Sequence, residues 1–147
     1  VKIYYAAPWF STEQADIHER VHAVLKVSRH QIFSPKHELE VRPNDSKDRR
    51  RVAFTQNLTH ICAADFLVAV TDHKDVGTIF ECGYAYRSGK SIIYFAETLG
   101  DKPFNLMLAE SGTIVIRSTS ELNRILYSIE SKSDLERIRY EYEGAIE

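Results

Sequence analysis

"FLVAVTDHKDVGTIFECGYAYRSGKSIIYF", Phe66 to Phe95, holds two five-residue apolar runs, "FLVAV" and "SIIYF", separated by a polar turn and a helix-length segment. Neither run alternates polar with apolar residues, as expected of strands covered on both faces and therefore of a parallel sheet. Parallel neighbours need a crossover, and the segment between them is long enough for a helix, so the stretch reads as a β-α-β unit.

The pattern repeats on either side. "VKIYYA" opens the chain, "HQIFS" follows at His30 to Ser34, and "TIVIR" comes at Thr113 to Arg117. Between them, "STEQADIHERVHAVLKVSR" places Ile17, Val21, Val24 and Leu25 on one helical face, and "DSKDRRRVAFTQNLTHICAAD" does the same with Phe54, Leu58, Ile61 and Cys62. Strands alternating with helices predict a three-layer, doubly wound α/β domain, flavodoxin-like, with a mostly parallel five-stranded sheet. The 147 residues read as a single domain, residues 1–147, long enough to bury a core without disulfide or metal. "SPKHELEVRPND", Ser34 to Asp45, reads as a loop or lid. "GDKPFNLMLAESG", Gly100 to Gly112, is a second irregular connection with room for a short helix. The tail from Ser120 holds one or two helical patterns and then loses periodicity.

A formal charge of -2 gives no general attraction for a nucleic acid polymer. The basic run "KDRRR", Lys47 to Arg51, reads as a solvated helix start beside Asp45 and Asp48. Apolar runs of five residues exclude a membrane span, and no signal-like segment opens the chain, so a cytoplasmic protein is expected. Cys62 and Cys82 lack a ligand spacing and read as reduced, buried thiols. "HERVH", His18 to His22, matches H-E-x-x-H, but Ile17 and Val21 must pack on the sheet and no convincing third ligand follows. Glu38 and Glu40 are near only along the chain, so satisfied or surface histidines are expected rather than a metal site.

In an open parallel sheet, ligands bind beyond the carboxyl ends of the strands. "AAPWF" after the first strand, "TDHKDVGT" after the third and the loop after "SIIYF" converge there, which brings Asp75 and Glu81 to the expected pocket. "TIFE" also satisfies the capping-box spacing, with Thr78 as N-cap and Glu81 as its partner. The first turn of a helix equally suits a carboxylate nucleophile, because free N–H groups and the dipole favour its ionised form. Two carboxylates suit glycosyl transfer through an oxocarbenium-like transition state, Glu81 attacking the anomeric carbon and Asp75 contacting or protonating a base.

These residues resemble the nucleoside 2'-deoxyribosyltransferase family over nearly the whole chain. "IYYAAPWF" looks like its substrate loop, "NLTHICAADFLVAV" like the helix and strand before its active-site loop, and "DVGTIFECGYAYRSGK" is close to its most specific motif. "GDKPFNLM" resembles the segment that reaches a neighbouring subunit's site, and "YEYEGAIE" resembles the tail of the lactobacillus-type enzymes.

The resemblance implies that Glu81 is the nucleophile of a covalent 2-deoxyribosyl intermediate, that Asp75 contacts the base and that Tyr4 holds the nucleophile. It also implies that Trp9 and Phe10 flank the base, with Gly77 in the motif at the substrate, while Asn105 and Met107 serve an adjacent subunit's substrate. A homohexamer or dimer with shared active sites follows. Asn57 stands where some members have aspartate, Ala6 where glycine is common, and Glu147 where the lactobacillus tail ends in tyrosine. These departures bear on base preference more than on reaction class.

The expected substrates are deoxynucleosides and free nucleobases, with no cofactor, because both half-reactions are substitutions at one carbon. The alternative is an N-glycoside hydrolase of deoxynucleosides or their 5'-monophosphates, which "KDRRR" and Ser88 leave open. A non-enzymatic nucleotide-binding module is a third reading.

Overall fold

The computed structural model describes residues 1–39 and 41–147, and Glu40, considered above as a ligand, lies outside the described residues. Five strands form one sheet: β1 (Lys2–Ala6), β2 (Gln31–Phe33), β3 (Phe66–Val70), β4 (Ser91–Phe95) and β5 (Ile114–Ile116). Every pairing is parallel and the order is β2-β1-β3-β4-β5. This is the doubly wound, flavodoxin-like arrangement, whose winding reverses between β1 and β3.

Side-chain alternation along these strands divides the core in two. Ile3, Tyr5, Phe66, Val68, Ile93 and Phe95 face α1 (Thr12–Val27), α6 (Thr119–Ser128) and α7 (Lys132–Ile138). Tyr4, Ala6, Leu67, Ala69, Ile92 and Tyr94 face α3 (Lys47–Ala63) and α4 (Val76–Arg87), with α5 (Leu106–Ser111) at the margin. The "SPKHELEVRPND" segment contains a one-turn helix, α2 (Pro35–Glu38), which Pro35 begins at a position where its missing N–H costs nothing. The second irregular connection does hold a short helix, α5, and the tail loses regular structure after α7. Among the described residues no helix is long and apolar enough to cross a membrane.

The expected face of α1 is borne out, with Ile17, Val21 and Leu25 buried and Val24 partly so. That of α3 is not. Ile61 is buried and Leu58 half-buried, but Phe54 and Cys62 are exposed. The stripe toward the core runs through Ala53, Asn57 and Ile61, at four-residue spacing. A polar Asn57 on that stripe made the apolar pattern read one residue out of register. Cys62 is therefore an exposed thiol, whereas Cys82 is buried and both are free.

Candidate active site

Glu81 does not cap a helix. The N-cap of α4 is Asp75, whose Oδ2 accepts from the Thr78 backbone N–H at 2.8 Å and the Thr78 hydroxyl at 2.9 Å. Counting from Val76, Glu81 is the sixth helical residue, so it lies in the second turn, beyond the free N–H groups. The loop delivering Asp75 has two consecutive non-glycine residues in the left-handed region, His73 (φ 64°) and Lys74 (φ 47°). Such conformations cost on the order of 1 kcal/mol or more each and are characteristic of functional loops.

In the second turn of α4, Glu81 meets the sheet. Tyr4 donates its hydroxyl to Glu81 Oε1 at 2.6 Å across 77 residues of sequence. The phenol is buried between Phe33 of β2 and Leu67 of β3, which are its register partners, and its ring stacks on Phe33 at 5.5 Å. Phe33 in turn stacks on His60 of α3, with centroids 3.6 Å apart. This backing of the Tyr4 ring was not legible in the sequence, because its members come from three elements distant along the chain.

Burial pushes the Glu81 carboxyl up to about 7, the Tyr4 hydrogen bond opposes the shift, and the nearby Asp75 charge adds to it. The expected stabilisation of the ionised form by a helix start is thus reversed in sign: desolvation outweighs the one donor. Burial, followed by the Glu81 charge, drives the Tyr4 phenol well above the usual range, so it remains a donor. The same two causes push the Cys82 thiol up to about 12, which removes a thiolate nucleophile from the site. A carboxylate held by one strong donor, with a second carboxylate nearby, is equipped to attack an electrophilic carbon while the second group attends the departing atom.

Gly77 lies in the first turn of α4, where an added Cβ would stand 3.2 Å from Asp75 Oδ2, so a side chain there would press on the capping carboxylate. Ala6 is buried at the end of β1. Trp9 and Phe10 follow it with rings 5.0 Å apart, Phe10 being exposed. Asn57 projects from the core stripe of α3 and its Oδ1 is buried without a hydrogen-bond partner, while among the described residues Glu81 is held by Tyr4. A buried acceptor left unpaired costs about 1–3 kcal/mol, which a ligand donor would recover.

Asn105 and Met107 stand apart from these residues. Both line a cavity of about 950 Å³ over the carboxyl ends of β3 and β4, with Thr71, Asp72, Leu99 and Phe104, and neither Glu81 nor Tyr4 borders it. Asn105 Oδ1 caps α5 by accepting from Met107 N–H at 3.1 Å and Leu108 N–H at 3.4 Å. The tail returns to this cavity, where Glu147 accepts from Lys74 Nζ at 2.8 Å. Asp72, not singled out in the sequence, is buried and fixes the loop after β4 by accepting from the Glu97 and Thr98 N–H groups at 3.1 and 2.6 Å. Its partners lie about 25 residues away along the chain, so no local pattern announces them. Ser88 ends α4, one helix length of about 18 Å from Asp75, so it does not belong to this site. The "KDRRR" run is exposed at the start of α3, with Arg49 Nε 3.1 Å from Asp45, as a solvated helix start should be.

"HERVH" does not place His18 and His22 as an exposed pair of equals. His18 is buried, and burial together with the Lys36 charge pushes its imidazole down to about 4. His22 is half-buried, lowered by burial and then by its neighbour His37.

The chain superposes on the solved structure of a 2-deoxyribosyltransferase from the psychrotolerant bacterium Bacillus psychrosaccharolyticus with a TM-score of 0.78 and 26% identity, over 97% of this chain and 99% of that one. A conserved protein from Enterococcus faecalis shares the fold at a TM-score of 0.70 and 18% identity, over 86% of this chain and 97% of that one. A CMP N-glycosidase from Clostridium botulinum shares it at 0.57 and 15%, over 86% of this chain and 98% of that one. No curated protein sequence matches. The family model for nucleoside 2-deoxyribosyltransferase matches residues 3–115, from β1 into β5, taking in Tyr4, Asp75 and Glu81. The chain belongs to the nucleoside 2-deoxyribosyltransferase family.

Proposed function

We propose that Glu81 carries the family's transfer of 2-deoxyribose between nucleobases, through a covalent glycosyl-enzyme. The observation that carries this reading is the Tyr4–Glu81 pair, a half-buried carboxylate held at 2.6 Å by the Tyr4 hydroxyl next to a second carboxylate. In the first half-reaction, Glu81 attacks C1' of a 2'-deoxynucleoside from the face opposite the base. The C1'–N bond breaks and its electron pair leaves with the base, which Asp75 or solvent protonates. In the second, an incoming base attacks C1' through its ring nitrogen, gives up that nitrogen's proton to Asp75 or solvent, displaces Glu81 as the free carboxylate and restores the β configuration.

Tyr4 orients one carboxylate oxygen and leaves the other for attack. Asp75 uses Oδ2 for the helix cap, so Oδ1 is the atom available to the base. Trp9 and Phe10 supply apolar surface for the base beside Ala6 and Gly77, and Asn57 offers an unpaired acceptor for a ligand donor. Asn105 and Met107 serve the substrate of an adjoining copy in a homohexamer or dimer. That role is supported by their position at a cavity that Glu81 does not border. Residues 1–147 act in this reading as one domain, in the cytoplasm.

Base exchange tests the proposal. Purified protein given thymidine and adenine should produce deoxyadenosine and thymine, resolved by chromatography, with deoxycytidine and deoxyinosine as further donors. Release of free base with no new nucleoside from any donor and acceptor would instead select the N-glycoside hydrolase. Nucleoside bound without loss of its base would select a binding module.

A further inference from the structure

We propose that Glu19, His22 and His37 form a binding site for one first-row divalent metal ion of the Zn²⁺ type, joining α1 to α2. Among the described residues these three side chains each offer a ligand atom, and all three atoms lie within 4.8 Å of one another. A point equidistant from three atoms at that limit is about 2.8 Å from each, so movements under about 1 Å reach the ~2.1 Å of Zn²⁺ bonds to nitrogen and oxygen. Two imidazoles and a carboxylate form a donor set that Zn²⁺ accepts, with a fourth position left for water.

Glu19 and His22 are three apart on α1 and so share a helical face. His37 comes from α2, and the two imidazoles stack with centroids 4.0 Å apart and planes 11° from parallel. His37 Nδ1 is 3.1 Å from the hydroxyl of the buried Ser34, and Nε2 is 3.9 Å from Glu19 Oε1. With Nδ1–H donating to Ser34 Oγ, the ring is held in the tautomer whose Nε2 lone pair faces the carboxylate and is free to bind a metal. Coordination requires the two rings to tilt out of their stack so that their lone pairs converge.

His18 supplies an independent observation. It is 1% exposed, its Nδ1 has no hydrogen-bond partner, and that atom lies 3.6 Å from Glu19 Oε1. A water in the fourth metal position would give this orphaned nitrogen a donor. Here the Lys36 ammonium is paired with Glu19 and holds the place of the cation, so the metal and Lys36 compete for one carboxylate. The site would fasten the start of the Ser34–Asp45 connection to α1. It includes none of the residues assigned to sugar transfer, so it stands or falls separately from that reading.

Titration of the metal-free full chain with ZnCl₂ by calorimetry, without nucleoside, should show one equivalent bound. Co²⁺ in its place should give d–d absorption typical of nitrogen and oxygen ligation. His22→Gln and His37→Ala, shown by circular dichroism to be folded, should each weaken binding at least about tenfold, since loss of a group that merely hydrogen-bonds to a ligand already costs about 10–100-fold. Lys36→Met should tighten it several-fold, which a site using other histidines would not show. The proposal is overturned if neither wild type nor Lys36→Met takes up a saturable equivalent. It is equally overturned if the affinity ignores His22→Gln and His37→Ala and follows His30, His60 or His73 instead.

Discussion

Glu81→Gln is expected to abolish base exchange, by at least ~10³-fold in kcat, while making the folded protein more stable at pH 8. The catalytic loss follows from replacing an ionisable carboxylate with an amide oxygen that attacks C1' poorly. The gain in stability follows from the position of the carboxyl, which burial pushes up to about 7 from its ordinary 4.5. Between those values the folded state keeps a proton that the unfolded state has released, so Glu81 destabilises the fold progressively as pH rises from about 4.5 to about 7. Above pH 7 the whole penalty is present, on the order of 3 kcal/mol, and a neutral side chain escapes it. A half-buried glutamine NH₂ without an acceptor offsets about 1–3 kcal/mol of this, leaving a net gain of up to about 2 kcal/mol. At pH 4 the glutamate is protonated in both states and the advantage should vanish.

Urea unfolding of both proteins at pH 4 and pH 8 measures this, and a residue acting only as a helix cap would show no such crossover. The wild-type kcat/KM should rise with pH through an ionisation near 7, because only the ionised carboxylate attacks. Rapid-quench intact-mass measurement with donor alone, followed by peptide mapping, should place a 2-deoxyribosyl adduct on Glu81 and find none there in Glu81→Gln. Near-normal exchange by the folded variant would end the assignment.

Asp75→Asn should leave stability within about 0.5 kcal/mol of wild type yet lower kcat by about 10²–10⁴-fold. Asparagine is as good an N-cap as aspartate and can still accept from the Thr78 N–H and hydroxyl. It cannot exchange a proton with the leaving base. Asp75→Ala should cost about 1 kcal/mol more, because the cap is lost as well. The deficit of Asp75→Asn should shrink with a 5-fluorouracil deoxynucleoside, whose base leaves readily as an anion. An equal deficit with thymidine and with this donor would show that Asp75 positions the base and does not assist its departure.

Local pattern was sufficient for the strands and most helices of this chain. Unbroken apolar runs at Phe66–Val70 and Ile92–Phe95 fall within β3 and β4, because a strand covered on both faces has no polar residue to interrupt it. Five strand-like runs alternating with helices restrict the winding to a few topologies, and the residues at the carboxyl ends then mark the site. The sequence by itself therefore determined the layers, the position of Asp75 beyond β3 and the proximity of Glu81 to the site's edge. Where α4 begins was decided in three dimensions. His73 and Lys74 turn left-handed, Asp75 takes the cap, and Glu81 falls one turn deeper than its capping-box spacing implied. Only packing then sets Tyr4 against it and removes enough water to reverse the expected shift of its carboxyl. The same holds for His37 beside His22, and for Asn57 on the buried stripe of α3. Periodicity reports which face of an element is apolar, but a single polar residue displaces that reading, and contacts across tens of residues depend on how the layers are superposed.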